Sequence, residues 1–163
     1  MRRLPRLLLL PTLLLLFPVF GCDVLGEDPG GKSCTLIGCQ SGLQVQLQHG
    51  TWPAGSYSLN VILDDATPVV CIVTLPFASV STGATCSAAT VQVQTSGQAL
   101  GADQHAVTGL WVQTTPAKVQ LVLRRDGAVM LDQTLQPTYT TSRPNGPDCE
   151  PLCTQANAVV VVP

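Results

Sequence analysis

Charged and aromatic side chains are both scarce in this 163-residue chain, at 11% and 4% of the residues. The charged fraction is less than half of that in a typical soluble domain, which excludes a disordered polyelectrolyte. Eight basic residues are too few for the Lys/Arg-rich face of a nucleic-acid-binding protein, so no nucleic-acid partner is expected. The sequence also lacks a Gly-X-Y period, heptads and capped helical periodicity. Collagen-like, coiled-coil and helical folds are therefore not expected.

The N-terminus has the pattern of a secretory signal. Arg2, Arg3 and Arg6 come before an apolar run at residues 7–20, which two prolines interrupt. A membrane-spanning helix needs about 18 or more consecutive apolar residues. The pattern therefore predicts a signal peptide over residues 1–21.

The end of this signal carries a more specific motif. Val19-Phe20-Gly21-Cys22 resembles the lipobox of bacterial lipoproteins. In that family the chain is cut before the cysteine, whose thiol and amino group receive acyl chains such as palmitate. The resemblance thus implies lipidation of Cys22, and the alternative is an ordinary signal peptide followed by an unrelated cysteine. The total of seven cysteines agrees with lipidation, because an odd cysteine in an exported protein needs an explanation.

The remainder of the chain divides into a tether and a domain. The tether is residues 22–33; its eleven residues after Cys22 are polar and glycine-rich and span roughly 18 Å r.m.s.. We expect residues 34–163 to form one domain. Without the signal the chain has five basic and ten acidic residues, a formal charge of −5, which argues against binding anionic headgroups by charge. The expected location is the bacterial cell envelope, attached to the inner or outer membrane through acyl chains.

Alternation of apolar and polar residues indicates an all-β fold. Eight strands are predicted, at residues 43–48, 57–64, 69–75, 91–94, 110–112, 119–123, 129–135 and 159–162, with a ninth at the edge if residues 34–37 are extended. Asp126-Gly127 is a strong signal for a type I′ hairpin. Parallel pairing would need crossover helices, and none is indicated. We therefore expect a disulfide-stabilised antiparallel β-sandwich that is only loosely immunoglobulin-like.

Six cysteines remain once Cys22 is set aside, and an oxidising compartment favours disulfides between them. They are Cys34, Cys39, Cys71, Cys86, Cys149 and Cys153. A bridge between Cys71 and Cys86 would span one strand and its loop. The other four form either a clamp between the chain's ends or two local loops; the clamp is favoured because short loops remove less unfolded-state entropy. Zinc binding by the terminal pairs is the weaker alternative. We expect no metal or cofactor.

Aromatic residues in loops are the candidate ligand contacts. Trp52 and Phe77 both lie beside prolines in predicted loops, where an exposed ring could meet a protein or a glycan. Packing in the core is nevertheless the favoured interpretation of both rings. Asp103 and His105 would share one face of a strand and could form a catalytic pair, but the favoured interpretation of His105 is a surface-loop histidine.

Two acidic groups could supply oxygen ligands for calcium. They are Asp64-Asp65 and the set of Asn145, Asp148 and Glu150. Turns and loop caps are the favoured interpretation of both groups. Arg124-Arg125 is a small basic patch that we expect at a solvated hairpin tip.

The whole layout resembles a group of small, uncharacterised bacterial lipoproteins. The resemblance depends on the lipobox-like start, the paired cysteines, and the motifs Trp52-Pro53-Ala54-Gly55 and Pro144-Asn145-Gly146-Pro147, and it implies no activity. The favoured hypothesis is a non-enzymatic role, binding or structural, with an envelope protein or glycan as partner. An inhibitor that presents the loop at residues 143–148 and a hydrolase that uses His105 are the alternatives. No G-x-S-x-G motif supports the hydrolase.

Overall fold

The structure is a computed structural model that describes residues 34–79 and 83–163. The chain divides into two units, Met1–Cys34 and Thr35–Pro163, and every strand described below belongs to the second. The predicted signal peptide, the lipidation site Cys22 and the tether at residues 22–33 lie outside the described residues. Within the described part, no helix is long and apolar enough to cross a membrane.

The described residues form ten strands and one turn of 3-10 helix. The strands are β1 (Gly42–Gln48), β2 (Gly55–Leu63), β3 (Val69–Leu75), β4 (Thr85–Cys86), β5 (Val91–Ser96), β6 (Ala106–Val112), β7 (Val119–Arg125), β8 (Ala128–Leu135), β9 (Thr140–Ser142) and β10 (Cys153–Val161), and the 3-10 turn is Ala102–Gln104. They build two five-stranded sheets, ordered β5-β6-β1-β10-β9 and β4-β3-β2-β7-β8. The two sheets pack together with antiparallel pairing predominant, which confirms the predicted all-β sandwich.

The core lies between the inner faces of the sheets, where alternate residues of each strand point inward. Leu43 and Val45 of one sheet and Tyr57, Leu59 and Val61 of the other are fully buried. The intervening residues of β1 are glutamines, of which Gln46 and Gln48 are exposed. Period-two alternation therefore places the apolar set inside, as the sequence predicts.

The first and last strands of the sandwich pair in parallel. β1 and β10 run side by side from the Gly42–Gln155 pair to the Gln48–Val161 pair. The expectation of antiparallel pairing throughout was wrong here. A parallel pair needs a long connection, and the whole intervening domain supplies it without a crossover helix. As a result, β1 and β10 both begin at one end of the sandwich and both finish at the other.

Three other differences from the predicted strands have local causes. β10 begins at Cys153 rather than at residue 159. The sequence did not predict its first half because that half is polar and shows no apolar periodicity. β4 and β9 have only two and three residues, too few to produce a pattern. Residues 34–37 do not form the optional edge strand. There, Thr35 Oγ1 and the Ile37 N–H donate to the Asn145 side chain instead.

Disulfides join distant parts of the domain. Cys39 bonds to Cys153 across 114 positions, and Cys71 bonds to Cys86 across 15. Cys34 and Cys149 are disulfide-bonded as well. The Cys39–Cys153 bond confirms the predicted clamp and rules out a pair of local loops. It also removes two thiolates from the zinc alternative, which was wrong.

The hairpin between β7 and β8 has the predicted turn. Asp126 and Gly127 have φ values of 50° and 85°, as a type I′ turn requires. The Asp126 N–H donates to the Ser56 carbonyl at 2.8 Å, and the Asp126 carboxylate accepts from the Ser56 N–H at 2.9 Å. The turn is therefore joined to the start of β2 as well as closing its own hairpin.

Candidate functional site

A cleft of about 530 Å³ lies at the end of the sandwich where β1 and β10 finish. Its walls come from three segments. They are residues 47–52, at the end of β1 and in the loop after it, residues 103–108, which run from the 3-10 turn into β6, and the pair Val161 and Val162, at the end of β10 and just after it. Both histidines of the chain and one of its two tryptophans lie in these walls. The cleft therefore concentrates side chains that are scarce elsewhere in the molecule.

His105 is the buried polar group of this cleft. Its side chain is only 7% exposed, and its Nδ1 accepts a hydrogen bond of 2.9 Å from the Phe77 N–H. An accepting Nδ1 carries no proton, so the neutral ring carries its proton on Nε2. That Nε2 is buried and has no hydrogen-bond partner among the described residues. An unpaired buried donor costs about 1–3 kcal/mol, which a ligand oxygen could recover.

His49 presents the opposite hydrogen-bonding character. Its Nδ1 lies 3.0 Å from the Val162 carbonyl oxygen, which can only accept, so Nδ1 carries the proton. The Nε2 of the neutral ring is then an acceptor. The two histidines that line the cleft thus differ in tautomer: Nε2 is a donor in His105 and an acceptor in His49.

Trp52 is held in the cleft wall by edge-to-face ring contacts. Its ring centroid lies 5.0 Å from that of His49 and 5.3 Å from that of Tyr57. The buried Tyr57 hydroxyl in turn donates to the Pro53 carbonyl at 2.6 Å. Trp52 is half-buried and packs against the core. One part of its ring is therefore fixed by packing while the remainder faces the cleft.

Phe77 has a different position from the one expected of an exposed ligand contact. Its side chain is only 7% exposed and belongs to the core, in agreement with the favoured core interpretation. The ring packs against His105, with centroids 5.0 Å apart, and its backbone N–H fixes the His105 tautomer. Phe77 therefore contributes to the cleft indirectly, by holding His105.

Asp103 and His105 do not share a strand face, so that prediction was wrong. The Gln104 N–H donates to the Gly101 carbonyl at 2.9 Å and closes a 3-10 turn at Ala102–Gln104. Asp103 is exposed on this turn, whereas His105 is buried. The favoured surface-loop interpretation of His105 was also wrong. Alternation predicts direction only inside a strand, and β6 begins one residue after His105.

The Asp64-Asp65 pair forms a turn. Both residues have positive φ, at 48° and 60°. The Asp64 carboxylate accepts from the Lys118 N–H at 2.8 Å, and Asp65 forms an ion pair with the Lys118 ammonium. One Asp64 oxygen and the Asp65 carboxylate are therefore engaged by Lys118, in agreement with the favoured interpretation as a turn. Arg124 and Arg125 lie beside the β7–β8 hairpin turn, and Arg125 approaches Asp126.

Asn145 links two segments at the opposite end of the sandwich from the cleft. The residue is 8% exposed; its amide oxygen accepts from Thr35 and Ile37, and its amide nitrogen donates to the carbonyls of Ile37 and Glu150. Among the described residues, no group of three or more His, Cys, Asp or Glu could hold a metal ion. Asn145 therefore has a structural role in the loop.

Comparison with known proteins gave no significant match to a protein family, to a curated protein or to a solved structure. The functional argument for this chain consequently depends on its own residues and their geometry.

Proposed function

We propose that this protein is a lipid-anchored, non-enzymatic binding protein of the bacterial cell envelope, and that the cleft beside Trp52 receives its ligand. The anchor is supported by the lipobox-like sequence around Cys22. The disulfides are compatible with an extracytoplasmic domain. The observation that carries the binding role is the buried, unpaired Nε2 of His105 in the cleft.

The hydrogen-bonding state of His105 argues against a general base. Its Nδ1 is occupied by the Phe77 N–H, so the proton sits on Nε2, the nitrogen that would have to accept one. A carboxylate that orients the base is a usual part of a nucleophilic site, and Asp103 makes no hydrogen bond to His105. The arrangement fits recognition of a ligand oxygen better than proton abstraction.

The cleft's chemistry indicates the ligand class. One buried donor, one acceptor and a tryptophan face suit a neutral ligand with hydroxyl or amide groups and some apolar surface. Segments of an envelope glycan or of an envelope protein both have this chemistry.

Binding to isolated envelope glycan fragments and to envelope proteins is measured by isothermal titration calorimetry, which does not depend on the tryptophan that the first variant removes. We expect saturable binding that Trp52→Ala abolishes. Trp111→Ala is the matched control, because Trp111 is the other tryptophan of the chain and lies on β6 outside the cleft. His105→Gln is the second variant, since it changes the buried donor. Binding that both Trp52→Ala and His105→Gln leave unchanged would exclude the cleft as the site.

One observation favours the inhibitor alternative. The loop at residues 143–148 is held by the four Asn145 hydrogen bonds and by an Arg143–Glu150 ion pair of 3.0 Å, so it is preorganised as an inhibitory loop must be. Inhibition of an envelope protease or glycosidase that Arg143→Ala weakens would support this function. A complete lack of inhibition across a panel of such enzymes would contradict it.

A further inference from the structure

Exposed aliphatic side chains cluster at the disulfide-clamped end of the sandwich. Leu36, Ile37 and Leu152 are 78%, 54% and 47% exposed; we refer to them as the basal patch. The Asn145 amide donates to both the Ile37 and the Glu150 carbonyls, which brings the two segments of the patch together. The Cys39–Cys153 bond joins the same segments immediately beyond the patch.

The backbone under the basal patch is therefore fixed while its side chains remain in water. Aliphatic surface gains about 25 cal/mol for each Å² removed from water. Exposed apolar patches on a domain of this size commonly mark contact surfaces. The constraint of two linked segments also means that little conformational entropy would be lost on contact.

The position of the patch in the sequence identifies the surface that it meets. Leu36 follows the proposed acyl-bearing Cys22 by 14 residues, and a chain of that length reaches at most about 50 Å when fully extended. A lipid-anchored chain would therefore enter the domain at the basal patch. For a chain anchored through Cys22, the bilayer is an apolar partner that always lies within reach of the basal patch.

The strand topology places the cleft at the far end from this patch. β1 and β10 both start beside the Cys39–Cys153 bond and run in parallel to the cleft walls. A seven-residue strand such as β1 rises about 20 Å from its first residue to its last. Contact of the patch with a surface would thus direct the cleft away from that surface.

We propose that the basal patch rests on the lipid surface to which Cys22 is anchored and presents the cleft to the envelope space. This inference depends on the proposed lipid anchor. Near the patch, the exposed Arg143 is paired with the exposed Glu150, and without the signal the chain has a formal charge of −5, which disfavours contact with an anionic surface. The surface therefore fits zwitterionic lipid, such as phosphatidylcholine, rather than anionic lipid.

The test uses the lipidated protein, reconstituted into phosphatidylcholine vesicles with brominated acyl chains that quench nearby tryptophan. Leu36→Trp places a probe in the patch. Leu100→Trp is the matched control, because Leu100 is 59% exposed and lies in the β5–β6 connection at the cleft end. We expect a loss of fluorescence for Leu36→Trp beyond that of the unchanged protein, and no added loss for Leu100→Trp. Equal quenching of both variants, or of neither, would overturn the docking.

Flotation with the vesicles separates this inference from the anchor. If Cys22→Ser abolishes flotation and Leu36→Trp gains quenching, both proposals are supported. If Cys22→Ser abolishes flotation while Leu36→Trp gains no quenching, the anchor stands and the docking is wrong. Flotation that does not need Cys22 would overturn the anchor. Ile37→Glu supplies a second docking variant, which should increase the mobility of the tethered domain without releasing it from the vesicle.

Discussion

Both tyrosines of the chain donate their hydroxyl protons to the backbone carbonyls of prolines. Tyr57 donates to Pro53 at 2.6 Å and Tyr139 to Pro116 at 3.0 Å. Burial raises the pKa of Tyr57, although Arg125 opposes the rise. Burial and the neighbouring Asp64 raise the pKa of Tyr139. At the residue scale, these two hydroxyls need to stay protonated for the native contacts to persist.

The raised tyrosine pKa values predict a loss of stability at high pH. The unfolded chain ionises its tyrosines near pH 10, whereas the raised pKa values let the folded chain keep more of these protons at that pH. The contribution of the two tyrosines to the free energy of unfolding should therefore be constant below about pH 10 and should fall as pH rises through the folded pKa values. Urea unfolding across this range, with tyrosinate absorbance as a second probe, measures the effect. Tyr57→Phe should reduce the slope, and native tyrosines that titrate near 10 would contradict the prediction.

Replacing His105 by leucine should destabilise the fold. The change removes the acceptor of the buried Phe77 N–H, and an unsatisfied buried group costs about 1–3 kcal/mol. His49→Leu is the comparison, because the contact between His49 and the Val162 carbonyl is only part-buried and its loss should cost less. Urea unfolding of both variants measures the difference. A His105→Leu protein as stable as the unchanged protein would show that the Phe77 hydrogen bond is not required.

At the scale of the strands, two disulfide bonds close loops of very different length. The Cys39–Cys153 bond closes a loop of 114 positions and joins the segment before β1 to the start of β10. The Cys71–Cys86 bond closes 15 positions and joins β3 to β4, which otherwise has only two residues. The shorter bond therefore secures a strand that otherwise pairs with β3 at only two positions.

The longer disulfide should contribute more to stability. In the chain-entropy model a loop of 100 residues contributes about 4.7 kcal/mol and one of 15 residues about 3 kcal/mol. Because Cys34 and Cys149 are disulfide-bonded as well, all four terminal cysteines must be replaced to open the long loop. Replacing Cys34, Cys39, Cys149 and Cys153 by serine should thus lower the unfolding free energy more than replacing Cys71 and Cys86. Denaturant titrations of the two variants measure this order. The reverse order would indicate that native-state packing around the bonds outweighs the entropy of the unfolded chain.

The second half of β10 has an open edge at which two molecules of the protein could pair. Among the described strands, β9 pairs with β10 only as far as Gln155, and the following residues contain no charge. Val159 and Val161 are 55% and 67% exposed there. An uncharged open edge is a template for strand pairing between molecules. Val159→Lys should therefore reduce light scattering at high protein concentration. Val129→Lys on β8, an edge that already carries Asp132, should change it little.

For the whole molecule, location and disulfides are checked together by intact mass. Protein extracted from native membranes should begin at Cys22 and carry acyl chains, and alkylation should detect six thiols only after reduction. A mass without acyl chains would contradict the anchor. Several free thiols before reduction would contradict the disulfide arrangement in the native protein.

Features with a short-range physical cause were predictable from the sequence. Alternation predicts the inward face of a strand because successive side chains point to opposite sides, so the buried positions of β1 and β2 were foreseen. The Asp126-Gly127 turn followed from its need for positive φ. The cleft was not foreseen as a whole: Trp52 was selected as an exposed loop aromatic, but no local pattern linked it to His49 and His105.

The sequence by itself determined the all-β character and the inward faces of the strands, because each depends on neighbouring residues. Only the tertiary structure decided the parallel pairing of β1 with β10, the partners of the cysteines and the burial of His105. These features join residues up to 114 positions apart, and one sequence contains no local signal for such contacts. The packing of the two sheets selects them, because burial of the core is shared by all the strands.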